Sequence, residues 1–190
     1  MKQEEINEIA LIGLNHTTAS VEMREIFSLN DDDVSMILTR SDTDGIDEIV
    51  CVSTCNRVEI YFASSNIHDS FDSVISILED ISSLTREKFE SIVYKKYAID
   101  AVQHLLTVTS SLDSMVIGEN EILGQIKDSY RQSVSAKRVG TVLNRLFHQA
   151  FNTAKRVRTE TEISKNPLSV AYIATELAKN IFEDISKRRA

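Results

Sequence analysis

Cys51 and Cys55 are the two cysteines of this 190-residue sequence, and their surroundings predict different chemistry. Cys51 lies inside the apolar run EIVCVS, which favours a small buried hydrophobic residue. Cys55 lies where that run breaks, between Thr54 and Asn56, and the cation Arg57 follows. A partly exposed thiol beside a positive charge is the setting of a nucleophilic cysteine. Residue types alone leave open whether Cys55 reacts or only occupies a turn.

The histidines offer one candidate for acid–base chemistry and no metal site. Zinc ligands cluster at short spacings, whereas the four histidines, His16, His68, His104 and His148, are far apart in sequence. His104 has apolar neighbours in a predicted helix, which suits either a satisfied interior histidine or a poised acid–base group. His16 follows the first predicted strand, so it is a further candidate for the border of the same site.

The segment 111–125 concentrates polar side chains between two predicted helices. It contains Asp113, Ser114, Glu119, Glu121 and Gln125, with glycines at 118 and 124 that permit a turn and a close backbone approach. The apolar triplet 115–117 in its middle is not needed in an ordinary exposed loop. We therefore expect this connection to be packed against the protein.

Hydrophobic periodicity predicts the elements that position these residues. Strands are expected at 8–15, 48–53, 57–63 and 91–94, and helices at 20–28, 31–40, 69–82, 98–112, 119–137, 140–160 and 168–185. Alternation of polar and apolar residues at 57–63 indicates a half-buried strand. The order β-α-β-β-α-β predicts an α+β fold, with a ferredoxin-like split β-α-β antiparallel sheet and helices. A helical subdomain and a C-terminal connecting helix are expected to follow.

Composition excludes several classes of protein. Apolar residues make up 42% of the chain and Gly, Pro and Cys are scarce, which excludes collagen-like and disulfide-scaffold proteins. No apolar run approaches the roughly 20 residues that span a bilayer, and the N-terminus has no signal-peptide pattern. A cytoplasmic protein with reduced thiols is the expectation. The net charge is −8, yet 127–158 carries eight Lys and Arg against Asp128 alone, which suits a nucleic-acid surface or a solvated helix face.

Four strings resemble the glutamyl-tRNA reductase family. They are GLNHTTASVEMRE at 13–25, STCNRVEIY at 53–61, HLLTVTSSLDSMVIGENEILGQIK at 104–127 and LNRLFHQAFNTAKRVRTETEIS at 143–164. The resemblance implies an oxidoreductase of tetrapyrrole (porphyrin) biosynthesis by way of 5-aminolevulinate. Such an enzyme uses NADPH to reduce the glutamate of glutamyl-tRNA to glutamate-1-semialdehyde through a cysteine thioester. It further implies a homodimer in the full-length family, glutamate-1-semialdehyde aminomutase as a partner, and no membrane association.

The resemblance also implies roles for individual residues. The nucleophile falls on Cys55 and the activity-critical histidine on His104, for which proton transfer and positioning of the thiol both remain open. Substrate-binding positions fall on Thr54, Asn56, Arg57, Ser114, Glu119, Asn120, Glu121 and Gln125. Arg57 suits bidentate recognition of the substrate γ-carboxylate, and Glu119 or Glu121 suits its ammonium group. Asn120-Glu121 departs from the commoner Pro-Gln of the family, so a contact through the usual Gln side chain is in question.

The same resemblance divides the chain. Residues 1–160 match the catalytic domain, with an α/β part at 1–97 and a helical part at 98–160, and 161–190 matches a connecting helix toward an NADPH-binding domain. No G-x-G-x-x-G occurs in the sequence, so that domain is expected to be absent and the thioester is expected to be lost to water. Two alternatives stay open, a non-catalytic tRNA-binding module that uses 127–158 and a generic cysteine esterase.

Overall fold

Four strands and seven helices make up the part of the chain that the computed structural model describes, residues 8–82, 84–119 and 121–163. They are β1 (Glu8–Asn15), α1 (Val21–Ile26), α2 (Asp31–Thr43), β2 (Glu48–Ser53), β3 (Arg57–Ser64), α3 (Ile67–Ser82), α4 (Arg86–Glu90), β4 (Tyr94–Tyr97), α5 (Ala98–Thr109), α6 (Glu121–Ser135) and α7 (Thr141–Glu160). None of these helices has the length and apolar character needed to cross a membrane.

The strands form one sheet in the order β2-β3-β1-β4, and every neighbouring pair is antiparallel. Because β3 lies between β1 and β2, the first β-α-β unit is split as the sequence predicts. Local chemistry supports the helix starts, since the Asn30 side chain accepts from the backbone N–H groups of Asp32 and Asp33 at the N-terminus of α2. The predicted α+β class and antiparallel sheet are confirmed.

Helices cover both faces of the sheet. One core contains Ile12, Ile60 and Phe62 with side chains of α2 and α3. The second core contains Leu11 and Tyr61 with side chains of α5, α6 and α7. All eight residues of β3 are buried as a result, so the prediction of a half-buried strand is wrong. The alternating polar residues of β3 point into the second core rather than into water.

Two elements differ from the sequence prediction. The fourth strand spans Tyr94–Tyr97 rather than 91–94, and the short helix Arg86–Glu90, which was not predicted, precedes it. β4 lies at the edge of the sheet, where alternate side chains are exposed. Its sequence YKKY therefore contains no apolar run that would predict a strand. The predicted helix at 168–185 lies outside the described residues.

Candidate active site around Cys55

Cys55 lies at the tip of the three-residue turn that joins β2 to β3. Thr54 closes this turn, because its backbone N–H donates to the carbonyl of Arg57 over 2.9 Å. The Thr54 hydroxyl oxygen also accepts from the N–H groups of Asn56 and Arg57, each over 3.2 Å. The turn thereby presents Cys55 outward, and Thr54 gains a local structural role beside its predicted contact with substrate.

The two thiols differ as the sequence predicts. Cys51 is 2% exposed in the core, and burial raises the pKa of its thiol to about 12. Cys55 is exposed. Thiolate is the reactive form of cysteine, so burial makes the Cys51 thiol inert, whereas the Cys55 thiol is accessible.

The segment after β1 supports the Cys55 turn from a second side. The N–H of His16 donates to the carbonyl of Asn56 over 3.0 Å. Arg24 lies in α1, and its Nε donates to the carbonyl of Cys55 over 3.4 Å while its Nη1 donates to the carbonyl of Ala19 over 2.8 Å. Arg24 therefore places a positive charge at the backbone carbonyl of Cys55. Sequence reasoning assigned that role to Arg57, since Arg24 is 31 residues from Cys55 and only the fold brings the two together.

A cleft opens in front of Cys55. Its lining combines residues of the turn with residues of the 110–120 connection and the first turns of α6, namely Thr54, Cys55, Asn56, Arg57, Ser114, Glu119, Glu121, Ile122 and Gln125. Eight of the ten predicted site residues meet there. Asn120 lies outside the described residues, and His104 is not part of this lining.

Hydrogen bonds hold the connection between α5 and α6 in place. The Ser111 hydroxyl donates to the carbonyl of Glu119 over 2.7 Å, and Arg158 of α7 donates to the same carbonyl over 3.0 Å. Gly118 adopts a φ of +86°, and a Cβ there would lie 2.2 Å from the carbonyl oxygen of Ile163. Val116 is buried as expected of a packed segment, whereas Met115 and Ile117 are exposed, so that expectation is wrong for those two.

Arg57 is buried beneath the cleft and already paired. Its Nη1 donates to Glu59 Oε1 over 2.6 Å, and its Nη2 donates to Asp113 Oδ2 over 3.0 Å and to the carbonyl of Asp113. Burial lowers the pKa of the guanidinium, but the charge of Glu59 and the hydrogen bonds to Glu59 and Asp113 together outweigh burial and raise that pKa. Arg57 is therefore charged, and much of its charge is balanced from within the protein.

Glu59 is the centre of a buried hydrogen-bond network. Its Oε1 accepts from Arg57, from the Tyr94 hydroxyl over 2.6 Å and from His104 Nε2 at 2.8 Å, and its Oε2 accepts from the Tyr61 hydroxyl over 2.6 Å. Burial would raise the pKa of this carboxyl group, but the hydrogen bond from His104 and the charge of Arg57 lower it to about 2. An ionised carboxylate only accepts hydrogen bonds, so His104 Nε2 is the donor in this contact.

His104 faces a different opening from Cys55. It lines a second groove together with Lys96, Asp100, Gln103, Thr107 and Asp113. None of the described residues lines both openings, but Arg57 of the cleft is bonded to Asp113 of the groove. The structure thus connects His104 to the cysteine cleft through Glu59 and Arg57. Sequence reasoning missed Glu59 and Tyr94, although the alternation of Arg57, Glu59 and Tyr61 already placed those three side chains on one face of a strand.

The basic segment 127–158 is not one continuous free surface. Arg138 is buried, and it donates to the Asp42 carboxylate over 2.5 Å and to the carbonyl of Ile46. Arg156 pairs with Glu160 over 2.9 Å on the exposed surface of α7. Part of the charge that suggested a nucleic-acid surface is therefore used inside the domain.

Among the described residues, no group of His, Cys, Asp or Glu is arranged to hold a metal ion.

Known proteins match this chain over a range that includes the residues of the cleft. The family model described as glutamyl-tRNA(Glu) reductase, N-terminal domain, matches residues 12–161. The glutamyl-tRNA reductase of Nitratidesulfovibrio vulgaris is 49% identical over 183 residues, which cover 96% of this chain and 41% of that protein. The glutamyl-tRNA reductase of Thermodesulfovibrio yellowstonii is 40% identical over 188 residues, covering 95% of this chain and 44% of that protein.

A solved structure shows the same architecture. The structure of glutamyl-tRNA reductase from Methanopyrus kandleri aligns with a TM-score of 0.69 and 29% sequence identity. The alignment covers 90% of this chain and 39% of that one. The chain thus spans well under half the length of these relatives.

Proposed function

The chain belongs to the glutamyl-tRNA reductase family, as its N-terminal domain, and on that premise we propose that it binds glutamyl-tRNA and transfers the glutamyl group to Cys55. The observation that carries the proposal is the placement of an exposed cysteine at the tip of a turn, facing a cleft lined by Ser114, Glu119, Glu121 and Gln125. These side chains supply a hydroxyl, two carboxylates and an amide, which are the kinds of group that bind the polar groups of an amino acid.

The proposed reaction is an acyl transfer. The Cys55 thiolate attacks the ester carbonyl carbon of glutamyl-tRNA, so that a carbon–sulfur bond forms and the bond to the ribose oxygen breaks. The ribose oxygen takes a proton and the tRNA leaves. In the absence of a hydride donor, water attacks the thioester and releases glutamate and the free thiol. Arg24 supports the first step because its positive charge lies beside the attacking cysteine.

The cleft supports recognition of both ends of the glutamyl group. Glu119 and Glu121 are the candidate partners of the substrate ammonium, since they are the carboxylates of the lining. Arg57 is the candidate partner of the γ-carboxylate, with Asn56 and Ser114 as neutral donors. A guanidinium has five N–H donors, so the bonds to Glu59 and Asp113 leave part of it for a ligand.

We assign His104 a positioning role rather than proton transfer at the sulfur. Support comes from its place in the second groove and from its bond to Glu59, which in turn holds Arg57. In this proposal His104 fixes the carboxylate that fixes the guanidinium at the base of the cleft.

The described residues do not fit the NADPH of the family. The dinucleotide-binding fingerprint places closely spaced glycines at a helix N-terminus, whereas the five glycines of this chain, at 13, 45, 118, 124 and 140, are far apart. Reduction to glutamate-1-semialdehyde is therefore proposed for the full-length enzyme, and no step of it is assigned to residues of this domain. The cytoplasmic location, the homodimer and the aminomutase partner are likewise proposals that follow from the family.

Intact-mass measurement after incubation with glutamyl-tRNA tests the acyl transfer. We expect an increase by one glutamyl group in the wild type and in Cys51→Ala, and no increase in Cys55→Ser. A wild type that binds tRNA but shows neither an adduct nor Cys55-dependent release of free tRNA would instead indicate a non-catalytic tRNA-binding module. Equal reaction with free glutamyl esters would indicate a generic cysteine esterase.

A further inference from the structure

Three residues lie in one row across the sheet. Gly13 of β1 is paired with Glu59 of β3 on one side and with Tyr94 of β4 on the other. A Cβ on Gly13 would lie 2.8 Å from Glu59 Cγ, so the absence of a side chain there leaves the space that the Glu59 side chain needs. The Tyr94 hydroxyl reaches the Glu59 carboxylate across this glycine and donates to Oε1.

Tyr94 contacts two members of the buried network. Its hydroxyl bonds to the same Glu59 oxygen that receives Arg57 and His104. Its ring packs against the His104 imidazole, with ring centroids 5.4 Å apart. Tyr61 differs, because its hydroxyl bonds to the other oxygen of Glu59. Tyr94 is thus the tyrosine that shares an acceptor with both His104 and Arg57.

We propose that Tyr94 is a positioning residue of the thioester-forming site, which fixes the Glu59 carboxylate and through it the orientations of His104 and Arg57. This inference rests on the proposed function. With the hydroxyl removed, Oε1 keeps two donors instead of three, and the carboxylate gains freedom to rotate. His104 and Arg57 are both bonded to that oxygen, so both lose a fixed partner at the base of the cleft.

Single-turnover kinetics with Tyr94→Phe test the role. Phenylalanine keeps the ring that packs on His104 and removes only the hydroxyl. We expect thioester formation to slow by about tenfold, as for the loss of one hydrogen bond to a charged group, with unchanged affinity for glutamyl-tRNA. The matched control is Tyr130→Phe. This substitution removes a hydroxyl of α6 that is bonded to Asn144 of α7, and the variant should react at the wild-type rate.

A spectroscopic readout separates positioning from general stability. With ¹⁵N-labelled histidine, the His104 ring signals can be assigned by their loss in His104→Gln. Tyr94→Phe should shift the Nε2 signal, whereas Tyr61→Phe should leave it in place because its hydroxyl binds the other oxygen.

The outcomes are distinguishable. A Tyr94→Phe protein that reacts at the wild-type rate overturns the inference and leaves the proposed function intact. Equal shifts of the His104 signal in Tyr94→Phe and Tyr61→Phe also overturn it, because Tyr94 would then have no specific role. A wild type that shows neither an adduct nor Cys55-dependent release of tRNA overturns the proposed function and the inference with it.

Discussion

Gly13 and Glu59 face each other across β1 and β3, and there is no room between them for a methyl group. The Cβ of an alanine at 13 would lie 2.8 Å from Glu59 Cγ and 2.9 Å from the carbonyl oxygen of Val58. Glycine is therefore needed at position 13 to leave room for the buried Glu59 side chain, and not to form a turn.

Gly13→Ala should displace Glu59 and destabilise the domain. We expect a loss of about 1–3 kcal/mol in the free energy of unfolding, as for other overpacked cores, and slower thioester formation. Urea unfolding measures the first effect and intact-mass kinetics the second. Gly124→Ala is the control, since nothing lies within 4 Å of its added Cβ and alanine favours the helix by about 0.5–1 kcal/mol. Equal stability of the two variants would contradict the proposed crowding.

The Glu59 carboxyl group predicts a pH dependence of stability. Its pKa is lowered in the folded protein from 4.5 to about 2, so its contribution is complete above pH 4.5 and is lost as the pH falls toward 2. We expect Glu59→Gln to be less stable than the wild type by about 3 kcal/mol at pH 7, because Arg57 loses its buried partner. The difference in the free energy of unfolding between the wild type and Glu59→Gln should narrow as the pH falls from 4.5 to 2. A stability difference between the two proteins that stays constant from pH 4.5 to 2 would show that Glu59 is not ionised in the folded protein.

Alkylation should select Cys55 in the native protein. Iodoacetamide reacts with thiolates, and Cys51 is 2% exposed with a pKa raised to about 12. We expect Cys55 to react more than about 100-fold faster than Cys51, as measured by peptide mass spectrometry. Cys51 should react only after unfolding in urea. Comparable labelling of both thiols in the folded state would contradict the burial of Cys51.

Arg24→Gln should lower the reactivity of Cys55. The substitution removes the positive charge whose Nε lies 3.4 Å from the Cys55 carbonyl and weakens the hold of α1 on the turn. We expect alkylation and thioester formation to slow by about threefold to tenfold, roughly 1 kcal/mol. Arg40→Gln is the control, because Arg40 pairs with exposed Asp80 on a different part of the surface. A loss of reactivity in both variants would point to net charge rather than to the contact.

Much of the fold was predictable because each signal was local. The apolar runs at 8–15 and 48–53 became β1 and β2, and the interruption at Thr54 became the turn that exposes Cys55. The displaced fourth strand was not predictable in the same way, because an edge strand of alternating Tyr and Lys carries no apolar run.

The interior of the site depended on tertiary packing. Cys55 and seven of its predicted neighbours lie together in the cleft, as the quoted motifs suggested. The burial of Arg57 follows only once α5, α6 and α7 cover the second face of the sheet. The same packing directs His104 to Glu59 and into a groove separate from the cysteine cleft, which no spacing in the sequence revealed.

The separate linings of the cysteine cleft and the His104 groove have a pharmacological consequence. A small molecule that binds Asp113 and His104 in the groove would compete with their ion pairs to Arg57 and Glu59. It would do so without entering the cleft that is proposed to bind the glutamyl group. Under the proposed function, we expect such an inhibitor to be non-competitive with glutamyl-tRNA, so that its potency does not decline as this substrate accumulates.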